Sequence, residues 1–164
     1  GDQESINRIE SVQGHFLSNI VVPGVDDMSY WARLSKFKFT SQERRRERYM
    51  VIFLWKIAQG LVHGYHVEFT SCGRLALPKN IIQSSSSLVK KARESSLGVK
   101  GARIFNLLPP SIRNIDSDNA AHFKKELGIF LSDVPDQTTV AGHGRAAEPN
   151  SLLHQLPLFL LNKN

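Results

Sequence analysis

The sequence predicts a mainly α-helical fold: an irregular helical bundle with room for one small β-hairpin and a flexible C-terminal tail. Three observations carry this. Apolar residues recur at helical spacing in three long stretches, 2–20, 40–59 and 117–131. The strongest of them joins a charged run, Glu43-Arg44-Arg45-Arg46-Glu47-Arg48, directly to a bulky apolar run. β-prone residues are confined to two short runs flanking Ser71-Cys72-Gly73.

In the first stretch, Ile6, Ile9, Gln13, Phe16, Leu17 and Ile20 share one face, which predicts the buried side. Pro23-Gly24 ends it. Asp26-Asp27-Met28-Ser29 starts a short helix to about Lys36, with Tyr30, Trp31 and Leu34 inward. In 40–59, Thr40 and Glu43 have the spacing of a capping box, and Gly60 is a natural stop. Met50, Phe53, Leu54 and Ile57 share one face of this helix. Val51 and Trp55 lie nearly opposite, on the side of Arg44 and Arg48. A helix apolar nearly all round packs on more than one side. Residues 63–78 read as a small hairpin or irregular extended chain, and 83–87 as a serine-rich linker. An apolar segment from Val99 stops at Pro109-Pro110. Ser117 caps the last clear helix, whose buried face is Ala120, Phe123, Leu127, Phe130 and Leu131. Residues 135–151 are rich in Gly, Thr, Ala and Pro and read as flexible. The apolar 152–161 either docks back or stays disordered. The predicted core is Ile9, Phe16, Ile20, Trp31, Leu34, Met50, Phe53, Leu54, Ile57, Phe105, Leu108, Phe123, Leu127 and Phe130.

A chain of 164 residues with net charge +6 fits one domain or slightly more, and suits anionic partners. The single cysteine, Cys72, excludes an internal disulfide and a multi-cysteine zinc site. No Asn-X-Ser/Thr sequon points to secretion. The apolar LPLFLL run is far short of the ~20 residues that span a bilayer, so no membrane role is expected.

Self-contained catalysis has no motif behind it. There is no phosphate loop, no dinucleotide fingerprint and no paired carboxylates of the kind that hold catalytic magnesium. No cofactor is implied. His63 and His66 lack further ligands at metal-site spacing, and Cys72 lacks a supporting base motif. The remaining signal is basic. Arg44, Arg45 and Arg48 sit at a helix start, Lys90, Lys91 and Arg93 after the linker, and Lys124 and Lys125 on the last helix. Arg46 points to the apolar side, where it snorkels or pairs with a buried carboxylate.

Several segments resemble, in order, the C-terminal (thumb and post-thumb) region of non-LTR, LINE-type, jockey-like retrotransposon reverse transcriptases. Ile6-Asn7-Arg8-Ile9-Glu10-Ser11-Val12-Gln13 with His15-Phe16-Leu17 resembles the family's thumb helix, IE-x-VQ-R-R-F. Tyr30 to Leu34 is similar to its Y-x-E-R-L step. Ser41 to Tyr49 with Trp55-Lys56-Ile57 resembles S-L-x-R-R-R-E-R-Y followed by W/Y-K-I. Ser95 to Val99, Gly101 to Pro109 and Ile112-Arg113-Asn114 resemble S-F-x-V-x-G-x-R-L-F-N-x-L-P and I-R-N. Phe123-Lys124, Leu127 and Phe130-Leu131 resemble the following helix, and NSLLHQ a common ending. No single motif is specific; the ordered set is. Gly14-His15 and Ala32 depart from the pattern, the first by removing positive charge from the thumb helix.

The resemblance implies an RNA-directed DNA polymerase parent. The family's paired catalytic aspartates are absent, so this chain alone should be inactive. It implies that Arg44, Arg45 and Arg48 contact phosphates of an RNA–DNA or DNA duplex, supported by Lys90, Lys91 and Arg93. It implies an intracellular setting, nucleus or cytoplasm. The division it suggests is 1–60 for the thumb-derived and central helices, 61–134 for the post-thumb region and 135–164 for the flexible tail. The face around Val51 and Trp55 would await a missing palm domain or a protein partner. The alternative is a structural or protein-interaction remnant with no nucleic-acid role.

Overall fold

The structure is a computed structural model of the whole chain. It describes residues 3–20, 24, 27–77, 87–116, 119–136 and 150–162, apart from the side chains of Gln3, Ile6, Leu88, Lys91 and Arg93. The readings placed on Asp26, Pro23, Ser117 and residues 137–149 lie outside the described residues. The fold is mainly helical, with no strand among the described residues. Also among them, no helix is long and apolar enough to cross a membrane.

Helix α1 (Gln3–Ser18) and α2 (Tyr30–Lys36) make a small N-terminal core of Leu17, Tyr30 and Leu34, with Ile20 and Trp31 packed against it. The inward face of α1 is only partly the predicted one: Leu17 and, just past the helix, Ile20 are on it, Ile9 and Phe16 are not. Glu10, Gly14 and Leu17 face in, while Ile9, Val12 and Phe16 are 57%, 70% and 60% exposed. Hydrogen bonding explains the difference. The buried Glu10 carboxylate accepts from Tyr30 Oη at 2.5 Å and from the Gln42 amide at 2.7 Å. It therefore sits on the positive end of the next helix, α3, where the helix dipole and these hydrogen bonds offset part of the cost of burying it.

Helix α3 (Gln42–Ala58) begins one residue later than predicted. Ser41, not Thr40, is the cap: its Oγ accepts from the Arg44 amide. The reciprocal half of the capping box comes from far along the chain rather than from Glu43. Asp136 takes the Ser41 amide at 2.8 Å and the Ser41 hydroxyl at 2.6 Å. Gly60 is the stop as predicted. Its φ of 68° lets the Leu61 amide reach back to the Lys56 carbonyl.

The extended segment 61–77 contains one antiparallel bridge, Phe69 to Leu75, in place of a full hairpin. It is held by a side chain that imitates a strand. The amide of Asn106 pairs with both the N–H and the C=O of Leu75, at 2.8 and 2.9 Å. Helix α4 (Ser87–Glu94) leads to a π-helical segment, Leu97–Gly101, and then α5 (Ala102–Leu107). Gly101 lets this segment lie close on α3: a Cβ there would stand 2.8 Å from Leu54 Cδ1. Helix α6 (Pro110–Arg113) starts on the proline that the sequence offered as a stop, a favoured first helical position. Helix α7 (Ala120–Ser132) is capped by Asn119, whose Oδ1 accepts from the Ala121 amide.

Residues 152–161 form α8 (Leu152–Leu161), docked through Leu152 and Leu156, both fully buried. Of the two readings left open for 152–161, docking back is the one the fold adopts. The main core joins Val51, Leu54 and Trp55 of α3 to Ile104, Phe105 and Leu108 of α5, Phe123 and Leu127 of α7, and α8. Of the predicted core, Ile20, Trp31, Met50, Phe53 and Phe130 are only half-buried.

Candidate nucleic-acid interface

Helical periodicity sends the charged run of α3 in different directions. At ~100° per residue, positions 44, 47, 51 and 55 form one stripe and 46, 49, 50, 53 and 56 another. The first stripe is the inside. Trp55 is fully buried, stacked on Phe123 with centroids 4.5 Å apart and planes 7° apart, and its Nε1 donates to the Ile115 carbonyl. Val51 is fully buried beside it. The expectation that Val51 and Trp55 await a palm domain or protein partner is overturned: both are fully buried in the main core of the same chain, Trp55 against Phe123 of α7.

Arg44 follows them inward. It is 1% exposed, and its Nη2 donates to the Pro135 carbonyl at 2.5 Å. It therefore cannot reach a phosphate in this fold. Burial pushes its pKa down, against the pull of Asp136, Glu47 and Glu43. Glu47 is fully buried too. It accepts from Ser151 Oγ at 2.6 Å and the Leu152 amide at 2.7 Å, and pairs with Lys100 Nζ at 2.6 Å. The acidic-basic run is thus largely the polar frame of the interior. Asn150 completes it, donating to Asp136 at 2.9 Å.

Of the other predicted phosphate contacts, Arg45 and Arg48 are half-buried, and Arg48 Nη2 donates to the Lys124 carbonyl. Lys90 is exposed on α4. Lys91 and Arg93 belong to the same helix, but their side chains lie outside the described residues. Helix α4 packs on the π-helical segment rather than completing the Arg45–Arg48 surface.

The second stripe opens onto a groove of about 470 Å³. Arg46, Lys56 and Lys124 line it together with Tyr49, Met50 and Phe53. No carboxylate lines it among the described residues. Arg46 snorkels as expected, but into this groove: it is half-buried, and its Nε has no hydrogen-bond partner among the described residues. Tyr49 is 58% exposed. Phe53 meets the exposed Tyr65 edge to face at 6.0 Å, so three aromatic rings border one cationic surface. The sequence reading missed Tyr49 and Lys56. Their spacing from Arg46, three and ten residues, was the available signal.

A second cleft, of about 500 Å³, lies where α2, the start of α3 and the end of α7 meet. Lys38 and Arg44 line it, but so do Asp133 and Asp136, which makes it a poor place for an anion. No group of three His, Cys, Asp or Glu stands ready for a metal among the described residues. Cys72 is an exposed thiol whose pKa is pushed down by the Thr70 hydroxyl.

Burial raises the pKa of Glu10, with the Tyr30 hydroxyl and the Gln42 amide pulling it back. Burial and then Glu47 raise that of Glu43. A carboxyl raised on folding binds its proton more tightly in the folded state. Its contribution to stability is therefore complete below the unfolded pKa and lost as pH rises through the folded one. Lowering the pH from neutrality to about 4.5, the ordinary carboxylate value, should accordingly stabilise the wild type relative to Glu10→Gln. Thermal melts of both at several pH values measure this; parallel curves would contradict it.

No family model, curated protein or solved structure matches this chain.

Proposed function

We propose that the chain is a non-catalytic C-terminal part of a non-LTR retrotransposon reverse transcriptase that positions template–primer nucleic acid. The ordered motifs from Ile6 to Gln155 support the family reading. The observation that carries the nucleic-acid role is the groove along α3, with three cations and no carboxylate among its described lining residues. Arg46, Lys56 and Lys124 are its phosphate contacts. Arg45 and Arg48, half-buried, and Lys90, exposed on α4, are further candidate contacts outside the groove. Arg44 is not among them, because it is buried. Polymerisation would require the paired aspartates this chain lacks, and the setting is intracellular.

Binding to an RNA–DNA hybrid should weaken steeply with salt and depend little on sequence. The Arg46/Lys56/Lys124→Ala variant should bind more weakly and lose about 2–3 from the log–log salt slope, if each cation neutralises one phosphate. Fluorescence anisotropy across a salt series measures both. Parent-like binding by a folded variant would sink the role.

One observation favours the second reading, a protein-interaction remnant. Ile9, Val12 and Phe16 make an exposed apolar stripe on α1. Cross-linking and size exclusion separate the two readings: an oligomer blind to nucleic acid favours the second.

A further inference from the structure

Building on the nucleic-acid reading, we infer that the groove on α3 holds an unstacked base, so that the preferred ligand is a single-stranded segment rather than a continuous duplex. Phosphate contact alone needs cations on a convex or flat surface. This site is a groove, and its lining is mostly apolar: Met50, Ile52, Phe53 and Leu97 share it with the three cations. In a duplex the faces of the bases are covered by their neighbours, so such a lining would remain in water. A base turned out of its stack presents an apolar face of the kind that aromatic side chains bind, largely without regard to sequence.

The layout of α3 suits this ligand. Arg46 and Lys56 are ten residues apart, hence about 15 Å along the helix axis, room for more than one phosphate. Tyr49 lies between them on the same stripe and is 58% exposed. A strand running along the helix thus meets a cation, a ring and a second cation in turn. Lys124 faces the groove from α7. Arg46 lines the groove with a half-buried side chain, so its guanidinium borders the space a base would fill. A guanidinium in that place can pair with a phosphate and can also stack on a base. Tyr65, packed edge to face on Phe53, offers a second ring for a following base.

The test uses the full chain, with one mixed-sequence oligonucleotide offered single-stranded, as a duplex, and single-stranded with 2-aminopurine at its centre. The single strand should bind several-fold more tightly than the duplex, and 2-aminopurine fluorescence should change on binding. Tyr49→Ala should weaken single-strand binding by roughly tenfold, the loss expected for one stacked base, and abolish the fluorescence change. Tyr49→Phe, which keeps the ring, should behave as the parent. Salt-dependent binding that does not distinguish single strand from duplex, and that survives Tyr49→Ala, would overturn the base site and leave the phosphate reading standing. Absence of binding to every oligonucleotide would overturn both.

Discussion

Replacing Glu47 by alanine is expected to destabilise the fold by about 3–5 kcal/mol, read from urea unfolding. The carboxylate is fully buried and serves three partners: the Ser151 hydroxyl, the Leu152 amide and the Lys100 ammonium. Truncation removes an acceptor from the start of α8 and leaves Lys100, mostly buried, without its counter-charge. Unsatisfied buried groups cost more than the bonds themselves contribute. Replacing Glu47 and Lys100 together by apolar residues should recover part of the loss, because both buried charges then disappear. Amide exchange should show α8 released first, since its N-terminus loses its anchor. A loss below about 1 kcal/mol, with α8 still protected, would contradict this account of Glu47.

Trp55→Ala is the second large effect, expected at about 3–5 kcal/mol. The indole is fully buried, stacks on Phe123 and donates to the Ile115 carbonyl. Its removal leaves a cavity at the centre of α3, α7 and α8, too large to close by small shifts. If the alanine variant fails to fold, Trp55→Phe keeps the test open. Phenylalanine retains the stack but orphans the carbonyl, for about 1–3 kcal/mol. A residue on a surface awaiting another protein would instead change stability by no more than about 0.5 kcal/mol. The experiment thus separates an indole covered by its own chain from one that is not.

Helix existence was legible because it depends on local periodicity and on punctuation. Residues 3–18, 30–36, 42–58 and 120–132 appear where apolar spacing placed them, and Gly60 stops α3 by adopting a conformation that favours glycine. Buried faces were less legible. On α1 the apolar stripe lost to Glu10, because Tyr30 and the start of α3 supply the hydrogen bonds that a buried carboxylate needs. On α3, Arg44 was expected at a phosphate and is instead buried together with Glu47. Their partners, Pro135 and the start of α8, lie 91 and more than 100 residues away. The groove was half legible: the stripe through Arg46, Tyr49, Phe53 and Lys56 is in the spacing, but the approach of Leu97 and Lys124 is not.

The sequence by itself determined a mainly helical chain, most of its helix boundaries, the absence of a disulfide and the basic character that suits an anionic partner. Those properties follow from propensity, period and composition, which act over a few residues or over the whole chain at once. Only the tertiary structure decided which arginines are inside, what covers Trp55, that 150–162 is docked, and where cations and aromatic rings share one groove. A helix with two apolar faces offers two ways to pack, and charged residues on either face are tolerated inside if their hydrogen bonds are met. The groups that meet them come from distant parts of the chain, so the choice is made in space and leaves no period in the sequence.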